Sequence, residues 1–421
     1  ARSMSIPPAT VGARPRIPAA IWTLGLVSLF TDLGSELVHG LLPVYLAGTL
    51  GVSMLAIGLI EGGAEGLALA VKVYSGWLSD AVGRRKPLVL IGYGIAAVAK
   101  FGFPLATGAG GVLAARLLDR FGKGIRGAPR DALVADLAPP EIRGASFGLR
   151  QSLDTVGAFA GPLLAIGLML LLAGDIRSVL WIAVLPGLAA VALIVWAVRE
   201  PARTTPAAAP RSPLTRAGIA ALGRGCWMVV ALGAAISLAR FSEAFLLLRV
   251  SQLGMAATWV PLVLVVMNAV YMLVAWPAGH WSDAIDRRWL LGLGLLALLG
   301  AHLVLALADS PAFALAGVAL WGLHLGLSQG VLGALLADAA PAPLRGTAFG
   351  LLSLAQGLAI LLASVGAGAL WQGFGAAVPF WAGRPCRRFV SRMTPRAGPV
   401  CASSERMARL IQTSGAAMAW V

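Results

Sequence analysis

Apolar residues in this chain gather into long, nearly unbroken runs, not into the alternating or one-faced patterns of water-soluble strands and helices. Runs fall at about 21–46, 54–78, 87–106, 110–134, 146–172, 176–197, 226–248, 258–280, 289–308, 311–337 and 347–371. A helix needs roughly 20 such residues to cross a hydrocarbon core of about 30 Å. The pattern therefore predicts eleven membrane-spanning helices, and a spacing of about 35 residues per helix leaves room for a twelfth. The first run lacks the small-residue cleavage site of a leader peptide and is read as a retained helix.

Polar positions between the runs alternate in charge. Arg84, Arg85 and Lys86 follow the second run, Arg143 the fourth, Arg199, Arg203, Arg211 and Arg216 the sixth, Arg287 and Arg288 the eighth, and Arg345 the tenth. The intervening loops hold almost no basic residue except Arg177. By the positive-inside rule the N-terminus and the long 198–225 loop face the cytoplasm of a multi-pass protein in the cell inner membrane. That loop is rich in Pro, Ala and Arg and cannot bury enough apolar surface to fold alone, so it reads as a linker.

Composition excludes a water-soluble enzyme. Of 421 residues, 58% are hydrophobic and only 12% charged, against about 25% charged in soluble proteins. The formal charge of +15 would suggest nucleic acid in a soluble domain, but these basic residues act as topology signals toward an anionic leaflet, and nucleic acid is not expected as a partner. Cys226, Cys386 and Cys401 show no metal or disulfide spacing.

The two halves repeat each other. Residues 135–149 match 337–351 at an offset of 202, placing Asp136 on Asp338, Arg143 on Arg345 and Gly148 on Gly350, while Gly76–Asp80 match Gly279–Asp283 at an offset of 203. The repeat, with its central linker, predicts an all-α polytopic fold of two related six-helix bundles around a central cavity. The divisions are an N-terminal cytoplasmic segment (1–20), the first bundle (21–197), the linker (198–225), a second bundle with five clear helices (226–383) and an atypical tail (384–421). The apolar run expected to open the twelfth helix stops at Trp381, and seven arginines follow with a single acidic Glu405. The expectation is that helix 12 is missing or replaced, as by a change of reading frame.

With Gly76, Asp80, Gly83, Arg84, Arg85 and Lys86 in the loop after the second run, the chain resembles the major facilitator superfamily over residues 20 to about 383, and the bacterial efflux-type members in particular. The second copy keeps Gly279, Asp283, Arg287 and Arg288 but has Asp286 where Gly83 stands. The resemblance implies that Asp80, Arg84 and Arg85, with Asp283 and Arg287, belong to a conformational gate, and that Arg116 is the family's intramembrane arginine of the fourth helix. It also implies a helix-packing motif at Gly148, Gly157, Gly161 and Pro162, ending in Ala165 in place of the family's last glycine, and that motif favours export. Glycine allows close helix approach and proline bends a helix, so the residues themselves also suggest a packing hinge.

An ionisable group at membrane depth costs several kcal/mol to insert and marks function by default. The first predicted helix carries Asp32, Glu36 and His39 on one face, and the second carries Glu61, Glu65 and Lys72. Lys100 lies on the third, Asp119, Arg120, Lys123, Arg126 and Arg130 join Arg116 on the fourth, and Asp154 lies on the fifth. Asp32, Glu36, His39, Glu61, Glu65 and Asp154 are the candidates for proton coupling, while the charges near the inner end of the fourth helix are read as structural pairs. The sparser second half offers Arg240, Glu243, Asn268 and Gln329, with Arg116, as substrate contacts. Asn268 stands at the repeat position of Glu65.

No G-x4-G-K-[ST] phosphate loop and no H-E-x-x-H or G-x-S-x-G site occurs. The expected function is secondary active export of a small solute in exchange for protons by alternating access, by a monomer contacting membrane lipids, with the proton gradient as energy source and no cofactor. Proton-coupled uptake, a lipid or amphiphile flippase, a divalent-metal transporter using Asp32, Glu36 and His39, and a non-transporting receptor or scaffold are the alternatives.

Overall fold

The computed structural model describes residues 17–82, 84–138, 142–200, 219, 221–284, 286–341 and 344–382. Apolar runs fold as helices because no water is present in hydrocarbon to satisfy backbone N–H and C=O groups. The first half contains α1 (Ala19–Val44, extended by a π turn Tyr45–Thr49), α2 (Met54–Val82), α3 (Lys86–Leu105), α4 (Ala109–Leu137), α5 (Arg143–Leu171), α6 (Ile176–Ile182) and α7 (Val184–Ala197). In the second are α8 (Arg224–Ala239), α9 (Ala244–Gln252), α10 (Leu262–Ala284, preceded by a 3-10 turn Ala257–Trp259), α11 (Arg287–Leu307), α12 (Pro311–Ala339), α13 (Arg345–Phe374) and α14 (Val378–Ala382). α6 with α7 forms the sixth rod and α8 with α9 the seventh. α14 is a short helix where the twelfth was expected to begin. The expected tail at 384–421 and most of the expected linker lie outside the described residues.

Among the described residues, ten rods are long and apolar enough to cross a membrane. The fourth, expected as a span over 110–134, does form a helix of 29 residues, about 43 Å long, but it is too charged to qualify by composition. Its place in the molecule depends on its neighbours.

Within the first half α1 packs on α5 and α7, α3 on α4 and α7, and α2 on α4; within the second, α11 and α10 pack on α12, and α8 on α13. The halves meet where α2 lies along α13, where α1 meets α9 and where α5 meets α10. Close approach at the α2–α13 seam requires glycine. A Cβ on Gly62 would lie 2.8 Å from the Ser364 side chain, and Gly66 and Gly357 face each other with similar closeness. One buried apolar cluster, including Leu41, Leu46, Ile57, Phe245, Val263 and Trp371, continues across both halves at the end that carries the α1–α2 and α9–α10 connections. This end is clamped.

The glycines of the expected packing motif divide. A Cβ at Gly161 would meet the Leu33 carbonyl at 2.8 Å and Glu36 Cβ at 2.9 Å, and one at Gly157 would overlap the Leu29 backbone. Gly148 has open space around it, so it takes no part in this packing. Ala165 is fully buried, and the methyl group standing where the family has glycine is accommodated.

Repeated capping marks the helix ends. Arg177 donates to the carbonyls of Pro104 (2.7 Å) and Ala106 (3.4 Å) at the end of α3. Arg249 does the same for Leu305 (3.1 Å) and Ala308 (2.8 Å) at the end of α11. A cation at a helix C-terminus satisfies free carbonyls and the negative end of the dipole together. Outside the spans, Asp175 caps α6; the Ser178 hydroxyl donates to it at 2.5 Å and, with backbone N–H groups, holds its carboxyl below the usual range. That stabilisation is present at neutral pH and is lost as pH falls through the lowered pKa.

Substituting Gly157 by Val is expected to force α1 and α5 apart and to lower stability by about 1–3 kcal/mol, the usual scale for overpacking, whereas Gly148→Ala should be neutral or slightly stabilising. Thermal unfolding of the purified protein in detergent checks the pair.

Candidate functional site

The site grows from α4. Successive turns of this helix present charged groups to different neighbours, and each neighbour supplies a partner. Arg116 donates to Glu61 on α2 at 2.6 Å, and both side chains are 1% exposed. Lys100 on α3, equally buried, donates to Asp119 at 3.3 Å and to Ser35 on α1 at 3.0 Å. Arg120 lies 3.3 Å from Glu65. The Arg126 guanidinium stacks 4.6 Å above the Tyr93 ring. Arg130 reaches Ser28 on α1 (3.2 Å), Asp131 (3.1 Å) and Asp154 on α5 (3.7 Å), and Arg150 lies 3.6 Å from Asp154. α4 is thereby joined by charge to α1, α2, α3 and α5.

Placement separates the proton-coupling candidates. Asp32 and Asp154 lie on the packed α1–α5 pair, near enough for their charges to interact. Glu36 instead turns to His39, 3.5 Å away. Asp32 and Glu36 thus have different partners, and among the described residues no group of three or more His, Cys, Asp or Glu is placed to hold a metal ion. Glu61 is sealed against Arg116, while Glu65 stays partly exposed beside Arg120.

The expected substrate contacts scatter. Arg116 is not accessible to a solute, because Glu61 occupies it and the surrounding helices bury it. Gln329 is exposed, and Arg240 and Glu243 are partly exposed. Asn268 bridges the halves by donating to the Ala158 carbonyl at 3.4 Å. Ala158 lies four residues before Pro162, whose missing N–H leaves that carbonyl without its helical partner. The proline of α5 and the asparagine of α10 are therefore complementary.

The expected continuous helix over 226–248 is interrupted. α8 ends at Ala239, α9 begins at Ala244, and Arg240 and Glu243 flank the break. Backbone groups freed there find partners from other helices. His302 on α11 donates through Nε2 to the Ala239 carbonyl at 2.9 Å, and the Ser242 N–H donates to Ser364 on α13 at 3.0 Å. Phe241 enters a cluster with Phe245, His302, Trp321 and Phe380. Trp321 and Trp371 are buried in the core, while Trp259 and Trp281 are exposed.

At the opposite end from the clamp, Arg85 at the start of α3 pairs with Asp136 at the end of α4 at 2.5 Å. The second half repeats the pair as Arg287 with Asp338. Glu200 adds a cap, accepting from the N–H groups of Arg85 (2.5 Å) and Lys86 (3.1 Å). Of the other expected gate residues, Arg84 is exposed and Gly76 packs against Ala128; Gly83 and the side chains of Asp80 and Asp283 lie outside the described set. Sequence reasoning singled out neither Asp136 and Asp338 as gate partners nor Glu200. The 202-residue repeat, which places Asp136 on Asp338, carried the signal.

The Major Facilitator Superfamily model matches residues 24–364. The chain belongs to the major facilitator superfamily. An uncharacterized MFS-type transporter of Methanocaldococcus jannaschii is 30% identical over 359 residues, covering 84% of this chain and 88% of that protein. An uncharacterized protein of Mycobacterium tuberculosis is 30% identical over 373 residues, covering 86% and 88%. Among solved structures, the nucleoside transporter NupG superposes with a TM-score of 0.73 at 12% identity, covering 89% of this chain and 98% of that one. A bacterial homolog of the human lysosomal transporter Spinster gives 0.67 at 18%, covering 91% and 92%. At such identities these two share the fold alone. Major facilitator proteins are transporters, not enzymes, so this member is a multi-pass membrane transporter of a small-molecule substrate.

In this superfamily member, Arg116→Gln should cost about 3–5 kcal/mol because it leaves Glu61 buried without its counter-charge. Replacing both by apolar residues, Arg116→Met with Glu61→Leu, should recover most of the loss. Detergent melting curves of the single and double variants measure this; a single variant as stable as the parent would contradict the pairing.

Proposed function

We propose that this transporter is a proton-coupled antiporter that exports a small solute across the cell inner membrane by alternating access, with its N-terminus in the cytoplasm. The proximity of Asp32 and Asp154 on the packed α1–α5 pair supports this reading most directly. Two carboxyl groups attract each other only when a proton lies between them; ionised together they repel. Asp32 lies near the middle of α1 and Asp154 in the first half of α5, on two helices pressed together at Gly157 and Gly161. Any sliding of α1 against α5 changes the distance between the acids and hence the affinity for that proton.

Arg130 and Arg150 lie beside Asp154. They stand ready as its counter-charges once the acids part, which gives the proton a direction of release. Glu36, one turn along α1 from Asp32 and paired with His39, is the next acceptor on the same face.

With the N-terminus in the cytoplasm, the clamp along α2 and α13 closes the outer end, and the exposure of Lys123 and Gln329 fits an inward-facing state. The Arg85–Asp136 and Arg287–Asp338 pairs lie at the inner end, each within its own half, and fix the helix ends that must come together when that end closes. The proton gradient supplies the energy, and no cofactor enters the cycle.

Proteoliposomes loaded with a pH-sensitive dye test the reading with panels of organic acids, organic cations, sugars and amino-acid analogues. Substrate-dependent proton movement is expected to fall at least 10-fold in Asp32→Asn and to persist in Asp175→Asn. Proton movement opposite to the solute indicates exchange, and movement in the same direction would replace export with symport. Flux that survives both Asp32→Asn and Asp154→Asn would remove the pair from the mechanism.

A further inference from the structure

The charge pairing of the first half leaves a remainder. Glu61, Glu65, Asp119, Asp131 and Asp154 each have an arginine or lysine within 4.0 Å, and Glu36 has His39. Arg126 is buried over Tyr93, and Lys72 lies along Gly127 of α4. Lys123 is different. It is the middle residue of α4, where insertion of an unpaired cation is most costly, yet it is exposed, and no carboxylate among the described residues lies within salt-bridge distance.

Across the molecule Arg240 has the same property. It stands at the break between α8 and α9, is partly exposed, and has no carboxylate within salt-bridge distance among the described residues, its near neighbour Glu243 included. Lys123 stands one turn along α4 from Arg120, which holds Glu65 at 3.3 Å, and the break that carries Arg240 is tied through Ser242 to Ser364, which lies against Gly62, one turn along α2 from Glu65. Glu65 is held by Arg120 on its own half and is partly exposed. The arrangement is a tethered carboxylate among three basic groups contributed by both halves.

From this we infer that Lys123 and Arg240 form a two-part clamp for one anionic group of the substrate, a carboxylate or a phosphate, with Glu65 as the internal anion that such a group displaces or joins. The inference rests on the antiporter reading only for its location in the transport cleft; the clamp itself needs no proton step. A cation on each half suits alternating access, because the anion then bridges the two bodies that must close around it. A neutral or cationic solute would gain nothing from Lys123 and would leave both cations without a counter-charge in contact at membrane depth.

Acetylation of Lys123 by acetic anhydride, read by mass spectrometry on the full chain in detergent at fixed pH and fixed chloride, tests the clamp without membrane or gradient. Benzoate, phenyl phosphate and inorganic phosphate are compared with benzylammonium and benzyl alcohol. The anions are expected to slow modification of Lys123 at least five-fold relative to the other lysines, with benzylammonium and benzyl alcohol without effect. Benzoate or phenyl phosphate, whichever protects at the lower concentration, identifies the group. Protection should vanish in Arg240→Gln and survive in Arg240→Lys, which also shows that the variant protein is folded. No anion protection, equal protection by benzyl alcohol, or protection unchanged in Arg240→Gln would overturn the clamp. Proton flux plays no part in the readout, so failure here leaves the antiporter reading standing, and failure of that reading leaves this one.

Discussion

The first half of the molecule depends on the neutralisation of α4. Charged side chains at the centre of a membrane helix each cost about 2.5–3.5 kcal/mol on insertion scales, and α4 carries Arg116, Asp119, Arg120, Lys123, Arg126 and Arg130 within fifteen positions. No apolar face of this helix could offset that. Compensation comes from Glu61 and Glu65 on α2, Lys100 on α3 and Asp154 on α5, all of which would themselves be costly alone. Their mutual dependence fixes which helices surround α4 and in what register. The pairs stabilise less by attraction than by the penalty that follows when either partner is lost.

In the second half, satisfaction of the backbone takes the place of charge pairing. A helix interrupted in hydrocarbon exposes carbonyls and N–H groups that have no water to turn to. The α8–α9 break is closed by His302 and Ser364, and the carbonyl freed by Pro162 is taken by Asn268. The Asn268 bond crosses from one half to the other, and Ser364 packs on Gly62 of the first half as well as on the break. Points of weakness in individual helices are thus points of attachment between the halves. A movement that separates the halves must find new partners for these groups, and such discrete exchanges favour two states over a continuum.

Much of this was legible from residues alone. Run length located every rod to within a few residues, since a bilayer tolerates few other patterns, and the 135–149 repeat revealed the twofold plan. Intramembrane charge singled out α1, α2, α4 and α5 as helices that carry paired charges. Pairing was not legible. Glu65 has no basic residue near it in sequence and meets Arg120 only because α2 and α4 lie side by side. The α8–α9 break was hidden because Arg240, Phe241, Ser242 and Glu243 include neither Gly nor Pro, and what permits the interruption is supplied by α11 and α13. Gly148 shows the reverse: it fits the spacing of a motif, but α5 has turned it away from any neighbour.

The unequal distribution of charge between halves also bears on mechanism. A proton site must hold its geometry closely, because a shift of one ångström between two acids changes their interaction steeply at low dielectric. The dense ionic frame around α4 would provide such rigidity, and Asp32 and Asp154 sit at its edge, where α1 and α5 pack on glycine. A solute site must instead tolerate change as the cleft opens and closes. Arg240 stands on an interrupted helix joined to its surroundings by single hydrogen bonds, and Lys123 projects from the rigid frame with no carboxylate in contact among the described residues. One fixed and one movable cation would let a bound anion carry the motion of the second half to the acids of the first, through Glu65 and Arg120, so that solute and proton occupy different places and still respond to the same displacement.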